Sequence, residues 1–213
     1  YAVKTAAFAT GVNVLAVELH QAGDGSWVPG LATLTATLDV TVDEKVTPPP
    51  PTGQWVEYWS ALFGGSSLPA GMGVITGPYG NPVGSGCDHI MVASNVTVSG
   101  GYCQILASRE PITVGGRTYG WRSGMLDTRS VGRYFPRWLR VEVRALVPHT
   151  VGIWPGLWLR SIYGASKGEP DIMEALEVAL ASSVTQTLWL RRGETPTSVR
   201  KQSTIVTPGW HTY

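Results

Sequence analysis

The sequence predicts an all-β protein: short strands packed as a sandwich and joined by turns. Three observations carry this. Charged residues make up only 15% of the 213-residue chain, against about 25% in typical soluble proteins. It also holds 26 glycines, 15 prolines and 9 tryptophans, a poor composition for helical bundles or coiled coils, which need Ala, Glu, Lys and Leu. Finally, short apolar runs recur at spacings near ten residues between Gly-rich turns, the pattern of a β-sandwich. The formal net charge of +1 leaves no electrostatic footprint for nucleic acid. No run of apolar residues is long enough for a membrane span.

From the N-terminus, Val12–His20 is rich in β-branched residues and predicts a strand. Gln21–Gly30 holds three Gly, one Pro and an Asp-Gly pair, and predicts a loop. From Ala32 to Val42 every even position is apolar and every odd one is Thr or Asp, a period-two strand signal. Two strands alone bury no core. Residues 1–42 are therefore expected to be the C-terminal hairpin of a truncated β-sandwich module, with weak similarity to galactose-binding-like jelly rolls. Residues 43–53 include Pro48–Pro51 and predict a stiff polyproline linker. Residues 54–213 form the remaining domain. Its expected strands are Asn95–Val98, Tyr102–Ser108, Trp138–Leu146, Ile153–Arg160 and Val184–Leu190. The chain begins at Tyr1 and closes on the β-like Trp210–Tyr213, and it reads as an interior piece of a longer, multi-domain, monomeric protein.

Cys87 and Cys103 are the two cysteines. They would pair if they lie on neighbouring strands, or stand as two free, buried thiols. His20, His89, His149 and His211 show no metal-ligand spacing, so no metal site is expected among them.

The chemistry concentrates in Gly168-Glu169-Pro170-Asp171-Ile172-Met173-Glu174. Two conformations compete for it. Pro170 at a first helical position, acids in the first turn and the following Ala-Leu-Glu-Val-Ala-Leu-Ala spell an amphipathic helix start. There the acids would only complement the helix dipole. In a strand, Glu169 and Asp171 face one way and Glu174 the other. A β-bulge near Ile172-Met173 would return Glu174 to their side. Two glutamates would then flank an aspartate, the arrangement glycoside hydrolysis uses, with one carboxylate at the anomeric carbon and another group protonating the leaving oxygen. The aspartate would hydrogen-bond one glutamate and keep their proton affinities apart. About ten residues upstream, Trp154 and Trp158 in Gly152-Ile153-Trp154-Pro155-Gly156-Leu157-Trp158-Leu159 supply rigid apolar faces suited to stacking on pyranose rings. Alternatively, they are two core tryptophans of the sandwich.

The Gly-x-Trp-Pro-x-x-Trp-Leu run followed by Gly-Glu-x-Asp-Ile-Met-Glu resembles glycoside hydrolase family 16, in particular its laminarinase-like β-1,3-glucanase branch. Asn95–Val98 with Gly101, Ala107–Glu110, Ser123–Thr128, Arg140–Arg144 and Trp210–Tyr213 are similar to other strands of that family. The match covers roughly residues 90–213 in order and is incomplete at the C-terminus. It implies a concanavalin-like jelly roll with the sugar lying across a concave sheet. It further implies Glu169 as nucleophile, Asp171 as its supporting carboxylate, Glu174 as general acid/base, and Trp158 as a stacking platform with Trp154 beside it. The implied substrate is a β-linked polysaccharide, cleaved by a secreted or cell-surface enzyme with no required cofactor. A structural calcium ion is left open. The chain departs from the family pattern at four places: Pro170 replaces a β-branched residue; Tyr163 stands where a subsite Trp-Pro is usual; Trp189 replaces a His; and the family's sugar-contacting loop is not recognisable near Gly84–His89. A non-catalytic carbohydrate-binding or adhesive module on the same fold is the alternative function, and a structural sandwich without a sugar site is a third.

Overall fold

The computed structural model describes residues 13–21, 32–42, 56–78, 88–135, 139–148, 150, 152–161, 168–175, 183–192, 195–204 and 209–213. The first strands in chain order are β1 (Asn13–Gln21), β2 (Ala32–Val42), β3 (Val56–Ala61), β4 (Gly73–Val74), β5 (His89–Met91) and β6 (Val96–Ser99). Next come β7 (Tyr102–Ala107), β8 (Ile112–Val114), β9 (Arg117–Tyr119), β10 (Trp121–Ser123), β11 (Met125–Asp127) and β12 (Leu139–Leu146). The last five are β13 (Ile153–Ser161), β14 (Glu169–Glu174), β15 (Ser183–Arg192), β16 (Thr195–Thr204) and β17 (Trp210–Thr212). No α-helix occurs among the described residues, and none of their helical turns is long or apolar enough to cross a membrane.

The strands build two large sheets. One has seven strands in the order β16-β15-β14-β13-β1-β11-β4. The other has six: β17-β12-β2-β7-β6, with β3 also paired to β2. Strand alternation explains how they pack. On β13, Ile153, Leu157 and Leu159 join the core between the sheets, as do Leu126 of β11, Ile172 and Met173 of β14, and Val184 of β15. The opposite layer contributes Cys103, Ile105 and Ala107 from β7, and Leu139, Val143 and Ala145 from β12. Arg140 and Arg144 of β12 lie on the outer side of that strand. Fully covering side chains such as Leu157 and Met173 contributes about 1.5–3 kcal/mol each. The all-β sandwich expected from composition and periodicity is thus the fold observed.

The N-terminal segments differ from expectation. Both are strands at nearly the expected boundaries, but the two do not form a hairpin with each other. β1 pairs antiparallel with β13 over nine positions, Asn13↔Ser161 to Gln21↔Ile153, and with β11 on its other edge. β2 pairs with β12 on one edge and with β7 and β3 on the other. The physical reason is that an alternating strand has two unsatisfied backbone edges. Two flanking neighbours satisfy them more fully than one hairpin partner. The Pro-rich stretch 43–53 lies outside the described residues.

Cys103 is a free, buried thiol, and burial pushes its pKa up to about 12. Cys87, the other cysteine, lies outside the described residues.

One glycine sets a close approach between the layers. At Gly124, between β10 and β11, a Cβ would lie 2.8 Å from the Asn95 carbonyl oxygen and 2.8 Å from Val96 Cγ2. Asn95 is itself held: its side-chain amide donates to the Leu106 carbonyl at 2.9 Å and to Ser108 Oγ at 3.3 Å. The backbone oxygen therefore cannot retreat freely. Gly124→Ala is expected to lower stability by about 1–3 kcal/mol, read as a lower Tm, whereas an unchanged Tm would show that the layers can part here without penalty.

Candidate active site

β14 carries the three acids, and its local geometry decides where they point. The strand is entered from Gly168 at φ +113, a backbone conformation that a side chain disfavours. Glu169 stands opposite Trp189 of β15, and Asp171 opposite Thr187. Glu174 then stands opposite Thr185. Three steps along β14 therefore match two along β15, which is a β-bulge. The other edge agrees: Trp158 of β13 faces Asp171 and Gly156 faces Glu174. The additional residue falls between Asp171 and Glu174, and Ile172 and Met173 both enter the core. Glu169, Asp171 and Glu174 consequently share one side of the seven-stranded sheet, the side away from the core. The strand conformation, and not the helical one, is the one adopted over Glu169–Glu174.

The acids differ in environment. Glu169 is half-buried, while Asp171 (7% exposed) and Glu174 (8%) are buried. The Thr187 hydroxyl donates to Glu174 Oε2 at 3.3 Å. The indole N–H of Trp189 donates to Asp171 Oδ2 at 2.9 Å. Burial first, and then the charges of Glu174 and Glu169, push the Asp171 carboxyl up to about 9. A hydrogen bond with Glu174 acts in the same direction, and the Trp189 donor acts against it. Neighbouring carboxyl groups resist ionising together, so burial and the two glutamates favour the protonated form of Asp171.

Pro170 sits opposite Leu188 of β15, while the β13 ladder runs only from Asp171 to Glu174. The proline lies just before that ladder begins, near the strand start where a missing N–H is tolerated.

The aromatic residues are distributed differently from expectation. Trp158 faces Asp171 but is only 8% exposed, packed in a small cluster with Met91, Met125 and Ile75. It borders the acids as a mostly buried ring. Its Nε1 is buried without a protein hydrogen-bond partner among the described residues. Trp154 is half-buried further along β13. Tyr163 lies outside the described residues. The open aromatic surface belongs instead to Trp189, 40% exposed. Sequence reasoning noted it only as a departure. The signal lay in Val184–Leu190, where Thr185, Thr187 and Trp189 alternate with Val184 and Leu188.

No group of three or more His, Cys, Asp or Glu side chains arranged to hold a metal ion occurs among the described residues. His89 is fully buried and His211 lies on β17, in the other sheet.

Fold and site together define an all-β sandwich bearing a buried carboxylate cluster, flanked by tryptophans, on one sheet face. Among solved structures, the chain is similar to the endo-beta-1,3-glucanase from Pyrococcus furiosus, with a TM-score of 0.61 and 22% sequence identity over 76% of this chain and 68% of that one. At this identity the likeness establishes the jelly-roll sandwich fold. No protein-family model matches the chain, and no curated protein matches it significantly.

Proposed function

We propose that the chain acts as a retaining endo-glycoside hydrolase that cleaves a β-linked polysaccharide of β-1,3-glucan type. The observation that carries this reading is the bulge in β14, which brings Glu169, Asp171 and Glu174 to one side of the sheet. In this mechanism Glu169 attacks the anomeric carbon while Glu174 delivers a proton to the departing glycosidic oxygen. The bond to the leaving sugar breaks and a covalent glycosyl–Glu169 ester forms. Water, deprotonated by Glu174, then releases the sugar with its original anomeric configuration. Asp171 serves both steps. Its bound proton, shared with Glu174, keeps negative charge off the acid before the first step and limits repulsion between the glutamates. Trp158 closes the floor beneath the reacting ring. The likeness to a protein named as an endo-beta-1,3-glucanase supports the choice of substrate class. A polymeric substrate of this size suits a secreted or cell-surface protein.

The test is release of reducing sugar from laminarin and from mixed-linkage β-glucan, with proton NMR of the first product. The reading requires oligosaccharides released from within the chain, appearing first as the β-anomer. Release as the α-anomer would overturn the double displacement. The exposed Trp189 ring favours one alternative, a carbohydrate-binding or adhesive module on the same fold. That module would bind laminarin and release nothing.

A further inference from the structure

Trp189 joins two properties that are usually separate. The nitrogen edge of its indole is anchored inside the site, donating to Asp171 Oδ2 at 2.9 Å, while the residue as a whole is 40% exposed. The register explains both. Trp189 stands directly opposite Glu169 and two residues beyond Thr187, the partner of Asp171. From that diagonal position a long side chain reaches across to the neighbouring strand's carboxyl group. The same register sets this partly exposed residue directly opposite Glu169. A rigid apolar surface with its polar edge fixed beside a carboxyl group is suited to the apolar face of a pyranose.

Among the described residues, Asp171 is faced from two neighbouring strands. From β13 it is faced by Trp158, and from β15 by Thr187 and Trp189. The charged groups acting on it are Glu174 and Glu169 on its own strand. Trp189 is thus the donor from a neighbouring strand that opposes the upward push on the Asp171 carboxyl.

We infer that Trp189 is the positioning residue for Asp171 and, through its exposed ring, the platform for the glycosyl unit held beside Glu169. The platform half rests on the hydrolase or sugar-binding reading above. The positioning half does not, because it concerns the protein's own hydrogen bond. The two halves call for substitutions that separate the ring from its N–H. Trp189→Phe keeps an aromatic face and loses the donor. Trp189→His keeps a ring N–H and loses most of the face. Trp189→Ala loses both.

Two measurements on the full chain test this. The first follows the Asp171 carboxyl by carbon-13 NMR across a pH titration, without substrate. Trp189→Phe is expected to raise its midpoint by about one pH unit, since a donor to the ionised form has been lost. Trp189→His is expected to bring the midpoint back towards that of the parent. An unmoved midpoint in Trp189→Phe overturns the positioning role. The second measures laminari-oligosaccharide affinity by calorimetry in the Glu169→Gln background, so that turnover does not interfere. Trp189→Ala and Trp189→His are expected to bind about 5–50-fold more weakly, and Trp189→Phe within about threefold of the parent. Equal affinity in all four proteins overturns the platform. A parent that neither binds nor cleaves these sugars overturns the platform together with the sugar-processing reading, and the titration still decides the positioning role.

Discussion

Glu174→Gln is expected to lower the release of reducing sugar from laminarin by about 10²–10⁴-fold, the usual contribution of a general acid, and Glu169→Gln by at least as much. The two losses should differ in kind. Glu174→Gln removes the proton needed by a poor leaving group, so a substrate with an acidic phenol in place of the leaving sugar should recover much of the rate. Glu169→Gln removes the atom that forms the bond to the anomeric carbon, and no leaving group compensates for that. Both substitutions are nearly isosteric. The Gln amide oxygen at 174 can still accept from the Thr187 hydroxyl, which reaches Glu174 Oε2 at 3.3 Å, so the fold should survive. Measuring kcat/KM on laminarin and on an aryl β-glycoside separates the cases. If release from laminarin persists in both variants, the chemistry lies elsewhere. If the aryl substrate recovers Glu169→Gln and not Glu174→Gln, the two roles are exchanged.

The second large effect concerns pH and stability. Asp171 titrates at about 9 in the folded chain against an ordinary 3.8, chiefly through burial and then the neighbouring glutamates. Its folded-state pKa is raised, so between these values the folded state holds a proton that the unfolded state has released. Stability from this group is therefore fully present below about pH 4 and is lost as pH climbs towards 9, with a slope of at most about 1.4 kcal/mol per pH unit. Asp171→Asn imitates the protonated carboxyl: its oxygen accepts from Trp189 and its amide donates to Glu174. The variant should lose this slope and melt at a higher temperature than the parent at pH 8. Thermal melting of both proteins from pH 5 to 9 checks it. Parallel curves would mean that Asp171 does not hold its proton in the folded state.

Much of this site could be read along the chain because the features that make it are local. Gly168, the alternation of Glu169 and Asp171, and the need for one additional residue before Glu174 all lie within seven positions. In a strand, a bulge near Ile172-Met173 is what would return Glu174 to the side of Glu169 and Asp171, and the register shifts between Asp171 and Glu174 in that way. The choice between strand and helix was not local. The same residues carry good helix-start signals, and the neighbours β13 and β15 override them by pairing with both edges. Trp158 shows a further limit. Its position opposite Asp171 follows from strand register, but its burial depends on Met91 and Met125, from strands β5 and β11. No spacing within Ile153–Arg160 reports their presence.

Composition and period-two alternation were sufficient to specify the all-β class and the strands with the clearest alternation, because each depends on residues a few positions apart. Ala32–Val42 is the plainest case, a strand with the expected boundaries. Its partners were another matter. β1 lies between β11 and β13, and β2 between β12 and the pair β7 and β3. Backbone hydrogen bonds are the same for every residue type, so a strand's pattern states which side it buries and is silent about which edge it joins. That selection, like the reach of Trp189 to Asp171, is made by packing between segments far apart in the chain.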